Sequence, residues 1–170
     1  MASDEKAQSS PLEMSGAKDS IGFMLSKVGG AMSDLFAKTV AEFGLTPRQF
    51  FVLNLICQHE GKSQNAIGES IGVAKSQMVA VVDELEKKSL LERRVNPDDR
   101  RLHALYLTKA GTDLREQTFA AAVAHEQSLR ALLTAKEAET MLVALQKLAT
   151  ADGTPLGVHG SIADKLHGGH

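Results

Sequence analysis

The chain has 170 residues, 43% of them apolar, which suits one domain with a substantial hydrophobic core. Its densest apolar stretch, residues 50–57, is far shorter than the ~20 residues of a membrane-spanning helix, and its single cysteine excludes an internal disulfide and a multi-cysteine zinc site. The net charge of −2 gives no overall attraction to nucleic acid, and the polar N-terminus lacks the pattern of a secretion signal, so we expect a cytoplasmic protein.

The N-terminal part of the chain predicts a flexible arm followed by two helices. Residues 1–18 are polar and show no periodicity, which is typical of a flexible segment. In residues 20–43 the apolar side chains recur with the roughly 3.6-residue period of an amphipathic helix, and Gly44 ends it. The segment Thr46–Gln49 then offers a capping hydroxyl, a proline and a glutamine at the positions that begin a helix, so a second helix is predicted over 47–59.

Two shorter helices are predicted next, with a short link between them. Ser63 is placed to cap the first, which extends to about residue 70, and the second covers about 75–88 with an apolar stripe on one face. Residues 71–74 form the link. This spacing is typical of a helix-turn-helix.

A charged β-hairpin follows the helix-turn-helix. Residues 90–95 and 102–107 have strand-like composition, and turn-forming residues separate them. Residues 87–103 contain six lysines and arginines against three acids, a local surplus of three positive charges. Asp98 and Asp99 are placed to hold the arginines of this hairpin. A basic surface is therefore predicted beside the helix-turn-helix.

Two further helices complete the chain. Thr108 is predicted to cap a helix that runs to about residue 133, and Thr134 with Glu137 forms the capping box of a last helix. Residues 151–170, rich in glycine and histidine, predict a flexible tail. The predicted fold class is therefore mostly α with a small β-hairpin wing.

The order of these elements predicts binding to duplex DNA. A major groove is wide enough for one α-helix, so the second helix of the pair would present the outward side chains of its first turns to base edges. Arginines of the hairpin would lie along phosphates or enter the minor groove. The candidate DNA-contacting residues are Ser63, Gln64, Lys75, Ser76, Gln77, Val79, Ala80, Arg94, Arg100 and Arg101.

Residues of about 20–149 resemble the MarR family of bacterial transcription regulators. The resemblance is most specific in the wing, where RRVNPDDRR at 93–101 is followed by LYLTKAG at 105–111. It extends to LTPRQ at 45–49, IGVAKS at 71–76 and VDELEKK at 82–88. Five positions depart from the family's usual pattern: Ala74, where serine or threonine is common, Val79 and Ala80, where threonine and arginine are frequent, Glu84, where a basic residue is frequent, and Ser89, where glycine is usual.

The resemblance implies a homodimer with interleaved first and last helices, and a near-palindromic DNA operator. It further implies a single domain over residues 19–150, with a winged helix-turn-helix at about 46–108 between dimerisation helices at about 20–43 and 109–150. It also implies a small-molecule effector, which in this family is commonly an aromatic or phenolic acid or its thioester. The effector would bind between the dimerisation helices and the winged helix-turn-helix. The candidate pocket residues are Met24, Val28, Met32, Arg48, Phe50 and Phe51.

Enzyme chemistry is not predicted, because the sequence shows no catalytic triad, paired carboxylates or phosphate-binding glycine loop. We expect no cofactor, no metal site and no membrane partner, since the histidines lack metal-ligand spacing. Two alternatives remain open. One is an oxidant-sensing or effector-independent regulator, with Cys57 as the candidate thiol, although its apolar neighbours favour a core role. The other is a DNA-architectural protein that binds all duplexes with similar affinity.

Overall fold

The computed structural model of the protein describes residues 19–70, 75–95 and 103–151. The predicted arm, the link of the helix-turn-helix at 71–74, the hairpin tip and the tail beyond residue 151 lie outside these residues. The chain order of elements is α1 (Ile21–Ala41), α2 (Pro47–Gln58), α3 (Gln64–Ser70), α4 (Lys75–Lys87), β1 (Leu91–Val95), β2 (His103–Leu107), α5 (Lys109–Arg130) and α6 (Ala135–Ala151). The predicted fold class, mostly α with a small hairpin, is confirmed. No helix in the described ranges is long and apolar enough to cross a membrane.

By its internal packing the chain divides into two units, Met1–Leu35 and Phe36–His170. The described part of the first unit consists mainly of the beginning of α1, most of whose large apolar side chains are exposed. The second unit contains the remaining elements and a buried apolar cluster. Its most completely buried members include Val40 of α1, Leu53 and Ile56 of α2, Ile67 of α3, Val82 and Leu85 of α4, and Leu105 of β2.

The start of α2 is held by a capping box, as the sequence predicts. The backbone N–H of Gln49 donates to the Thr46 hydroxyl over 3.2 Å, and the Thr46 N–H donates to Gln49 Oε1 over 3.2 Å. Gln49 is only 4% exposed, and its side-chain amide also donates to Glu84 of α4 over 2.8 Å. Lys88 donates to Gln49 Oε1 over 3.0 Å and to the carbonyl of Gly44 over 2.7 Å. The acid at position 84 therefore has a partner that ties α4 to α2.

The end of α4 explains why position 89 is one where glycine is common. Ser89 has a φ of 57°, in the left-handed region, and its N–H donates to the Glu86 carbonyl over 2.8 Å. The Leu90 N–H then reaches back to the Leu85 carbonyl over 3.0 Å. This pair of bonds closes a helix C-terminus, a conformation that glycine adopts without steric cost.

We expect Ser89→Gly to stabilise the protein by about 1 kcal/mol, because it relieves the left-handed strain of a non-glycine residue. The measurement is the free energy of unfolding in urea. Lys87→Gly, two residues earlier in the last turn of α4, is the matched control and should destabilise by about 1 kcal/mol through lost helix propensity. A loss of stability in Ser89→Gly would contradict this account of the turn.

The hairpin is joined to the segment that precedes α3. β1 pairs with β2 in antiparallel register from Leu91 opposite Leu107 to Val95 opposite His103. On the other side of β2, the N–H of Gly61 donates to the Leu105 carbonyl over 3.0 Å, and the Leu105 N–H donates to the Lys62 carbonyl over 3.1 Å. A bridge between Ser63 and Ala104 continues this pairing. The wing is thereby attached directly to the residue that begins the helix-turn-helix.

The last two helices begin at the predicted caps. The Gly111 N–H donates to the Thr108 hydroxyl over 3.0 Å, and the Thr134 N–H donates to the Glu137 carboxylate over 2.8 Å. Donation by the backbone and hydroxyl of Thr134 lowers the pKa of Glu137 from its ordinary value. Helix α5 ends at Arg130, earlier than predicted, because its last turn tightens: the Leu133 N–H donates to the Arg130 carbonyl over 3.1 Å.

Candidate nucleic-acid interface

Helix α4 has a buried apolar face and a polar first turn that faces outward. Met78, Val81, Val82 and Leu85 are buried in the core of the second unit. Lys75 and Ser76 at its start are exposed, as is Ala80, while Gln77 and Val79 are half-buried. The predicted base-reading residues of this helix therefore share its outward side.

Helix α3 packs across α4 and places the other two predicted contacts of the helix-turn-helix. The Ser63 hydroxyl accepts from the Ala66 N–H over 3.2 Å and so caps α3, as predicted. Gln64 follows it and is half-buried. Between α3 and α4 lies a cleft of about 200 Å³ lined by Gln64, Asn65, Gly68, Glu69, Lys75 and Met78. Gln64 and Lys75 thus lie on one concave surface.

Arg94 on β1 is exposed but held in position. Its side chain is 57% exposed, and the guanidinium carbon lies 4.4 Å from the ring centroid of Tyr106. Its Nε donates to the Glu92 carboxylate over 3.0 Å. A guanidinium stacked on an aromatic face and paired on one edge keeps its other donors outward, where a phosphate can accept them.

Arg93, the neighbouring arginine, is differently placed. It ion-pairs with Asp83 over 2.5 Å and with Glu86, and its own side chain is only 22% exposed. The surplus of three positive charges predicted for residues 87–103 includes Arg93 but not these two acids, which come before residue 87. The surplus of three therefore overstates the positive charge that this surface offers to DNA.

Some predicted contacts fall outside the described residues. Arg100 and Arg101, and the acids Asp98 and Asp99 expected to hold them, belong to the hairpin tip at 96–102. Among the described residues, Asp83 and Glu86 pair with Arg93, and Glu92 pairs with Arg94. The sequence does not predict the ion pairs of Asp83 and Glu86 with Arg93, because these acids lie on α4 and contact β1 only in the folded protein.

The candidate effector residues lie in both units. In the first unit, Met24 and Val28 are exposed and Met32 is half-buried. In the second unit, Phe50 is 5% exposed and belongs to the core, while Phe51 is half-buried beside it with a ring-centroid distance of 5.3 Å. Phe36 completes an aromatic group, with centroids 5.4 Å from Phe50 and 5.6 Å from Phe51.

Arg48, the cation proposed to meet an anionic ligand, is half-buried at the start of α2. One of its terminal guanidinium nitrogens, Nη2, is buried and has no hydrogen-bond partner among the described residues. A buried donor without an acceptor costs roughly 1–3 kcal/mol.

Cys57, farther along α2, is half-buried and packs against the apolar cluster. No group of metal-ligating side chains occurs within the described residues.

Comparison with known proteins identifies the chain's family. The sequence profile of the MarR family matches residues 43–102. A proposed transcriptional regulatory protein for the hcr operon of Thauera aromatica is 32% identical over 140 residues, which cover 81% of this chain and 84% of that protein. The chain belongs to the MarR family. It is therefore a transcription regulator with a winged-helix fold.

Solved structures agree with this MarR-family assignment. The transcriptional repressor CouR bound to a 23-mer DNA duplex is 32% identical, with a TM-score of 0.70 over 82% of this chain and 99% of that one. CouR from Rhodococcus jostii RHA1 bound to p-coumaroyl-CoA is 33% identical, with a TM-score of 0.66 over 80% of this chain and 96% of that one. Each of these structures therefore matches about four fifths of this MarR-family chain.

Proposed function

We propose that this chain is a dimeric, sequence-specific repressor that blocks transcription at a near-palindromic operator and releases it when a small aromatic or phenolic acid or its thioester binds. It performs no catalysis, and residues 19–150 act as one functional domain. A regulator of this kind acts on chromosomal DNA, which agrees with a cytoplasmic location. The observation that carries the proposal is the outward polar first turn of α4, set beside the hairpin that carries Arg94.

The DNA-binding part rests on the chemistry of the α4 surface. Lys75, Ser76 and Gln77 offer hydrogen-bond donors and acceptors at the end of the helix that would enter a major groove. Val79 and Ala80 are small and apolar, as suits contact with a thymine methyl group. Few polar groups reach the bases from this helix, so the wing and the shape of the DNA would supply a larger share of selectivity.

The proposal of a homodimer rests on helices whose apolar side chains are not covered within the described protomer. Helix α6 has no buried residue, although it carries an apolar stripe. Its exposed apolar residues are Met141, Leu142, Val143, Leu145 and Leu148, and α5 adds Phe119 and Val123. An exposed apolar surface of this kind marks a protein interface. A two-fold symmetric dimer would in turn match a near-palindromic operator.

The proposed chemical class of the effector is argued from the side chains at and beside the start of α2. The aromatic group of Phe36, Phe50 and Phe51 suits an aryl ligand. The Arg48 nitrogen that has no partner among the described residues would be satisfied by an anionic oxygen. CouR, which binds an aromatic thioester in its crystal structure, supports the same ligand class. Met24, Val28 and Met32 are proposed as further lining residues on the family resemblance alone.

The effector acts by population shift. It binds a dimer whose two recognition helices no longer match successive major grooves, about 34 Å apart. Ligand and DNA then weaken each other's binding by the same factor. The test is binding of the purified protein to duplex from upstream of its own gene and to a scrambled duplex at physiological salt, repeated with aromatic acids and p-coumaroyl-CoA.

Selective binding that one compound abolishes is the expected result, and equal affinity for both duplexes would favour the architectural alternative. Two variants separate the residue roles. Gln77→Ala should chiefly reduce discrimination between duplexes, whereas Arg100→Ala should weaken binding to all duplexes and flatten the salt dependence by about one unit. If neither variant changes binding, the groove assignment of α4 and the wing is wrong.

A further inference from the structure

The Arg93 side chain connects three elements of the winged helix-turn-helix. It extends from β1 to Asp83 and Glu86, which lie one turn apart on α4. Its Nη2 also donates to Gln64 Oε1, at the start of α3, over 3.2 Å. One planar guanidinium therefore fixes the base of the wing against both helices of the helix-turn-helix. Because the N–H groups of a guanidinium point in fixed directions within one plane, these bonds constrain the orientation of β1 relative to the two helices as well as its distance from them.

The charge balance around Arg93 is unsuited to a phosphate contact. One guanidinium faces two carboxylates, so the group carries a net negative charge. Both terminal nitrogens are already engaged with acids or with Gln64. The side chains of Asp83 and Glu86 are 46% and 40% exposed, so a phosphate approaching Arg93 would first meet negative charge.

Arg94, the next residue, provides an internal comparison. It is more than twice as exposed as Arg93, at 57% against 22%, and among the described residues it pairs with one acid, Glu92. It stacks on Tyr106 of the hairpin itself and makes no ion pair to α3 or α4 among the described contacts. Two adjacent arginines of the same strand are thus placed for different tasks.

We propose that Arg93 is a positioning residue, which sets the angle between the wing and α4 and so determines operator selectivity without touching DNA. The inference rests on the proposed function, since it concerns how the DNA-binding surface is aligned. Base contacts from α4 and backbone contacts from the wing must be made on the same duplex at once. An error in the angle between them therefore lowers affinity for the operator, where both sets are in register, more than affinity for other DNA.

The experiment measures affinity for the upstream duplex and for the scrambled duplex across a range of salt concentrations. For Arg93→Lys and Arg93→Gln, we expect the ratio of the two affinities to fall roughly tenfold with an unchanged salt slope, because no phosphate contact is lost. Arg94→Gln is the matched control: both affinities should fall together, and the slope should become shallower by about one unit. Asp83→Asn, which leaves Arg93 in place but removes one ion pair, should lower the ratio in the same direction.

The outcomes separate positioning from other roles. Loss of folded protein alone lowers both affinities by one factor and leaves their ratio unchanged. The inference is overturned if Arg93→Gln behaves like Arg94→Gln, or if all three tether variants keep the wild-type ratio. If the wild-type protein itself does not discriminate between the duplexes, the proposed function fails first and the inference falls with it.

Discussion

Leu145→Glu is expected to dissociate the proposed dimer and to lower operator affinity by about 100-fold, which corresponds to ~2.7 kcal/mol. Leu145 lies on α6, a helix that buries none of its residues in the described protomer. In a dimer that covers this helix, an unpaired carboxylate would lose its hydration without gaining a partner, at a cost of several kcal/mol. A monomer reaches only one half-site, so the loss extends to DNA binding.

The matched control is Gln146→Glu, which adds the same charge at the neighbouring position of α6. We expect it to remain dimeric and to bind the operator nearly as the wild type does. Sedimentation at micromolar protein gives the oligomeric state, and binding to the upstream duplex gives the affinity. If Leu145→Glu stays dimeric and binds normally, α6 does not form the dimer interface, and another surface must account for its exposed apolar stripe.

Local patterns in the sequence predicted most of the fold. A capping hydroxyl, a proline and a glutamine at Thr46–Gln49 determine the start of α2, because the Thr46 hydroxyl and the Gln49 side-chain oxygen accept from backbone N–H groups within the same turn. The capping hydroxyl of Thr108 and the capping box at Thr134 act in the same local way. The outward residues of α4 followed from its helical period, which leaves one face for the core and the other for solvent.

The long-range ion pairs could not be predicted in this way. Arg93 and Asp83 are ten residues apart and lie on different elements, so their meeting depends on how the wing packs against α4. Arg93 counts towards the predicted basic surface because the segment 87–103 begins after both Asp83 and Glu86, and nothing in the sequence shows that these acids pair with Arg93 when β1 packs beside α4. The same holds for Glu84, whose partner Gln49 lies 35 residues earlier.

A second feature hidden from the sequence is the close approach of α5 to the start of the wing. Gly111 belongs to the LYLTKAG segment that marks the family resemblance, but its spacing alone gives no reason for a glycine. In the structure, a Cβ placed on Gly111 would lie 1.8 Å from the Leu90 carbonyl oxygen. That carbonyl accepts from the Thr108 N–H over 3.2 Å, and the adjacent Ser89 carbonyl accepts from the Thr108 hydroxyl over 2.8 Å.

Gly111→Ala is accordingly expected to destabilise the protein by about 3 kcal/mol or more, because the added methyl meets backbone that two hydrogen bonds hold in place. At roughly 2–4 °C per kcal/mol, the Tm should fall by about 10 °C. The sign of the change is diagnostic. In a helix free of contacts, the same substitution would stabilise by about 1 kcal/mol through helix propensity, so only the contact with Leu90 explains a loss.

Ala110→Ser is the control for Gly111→Ala, since it adds one heavy atom at the adjacent, exposed position of α5 and should change stability by less than about 0.5 kcal/mol. Thermal unfolding followed by circular dichroism compares the two variants. A Gly111→Ala protein as stable as the wild type would mean that α5 and β1 can separate without cost. The wing would then be free to move relative to α5, and its alignment would depend on the Arg93 tether and on β2 pairing alone.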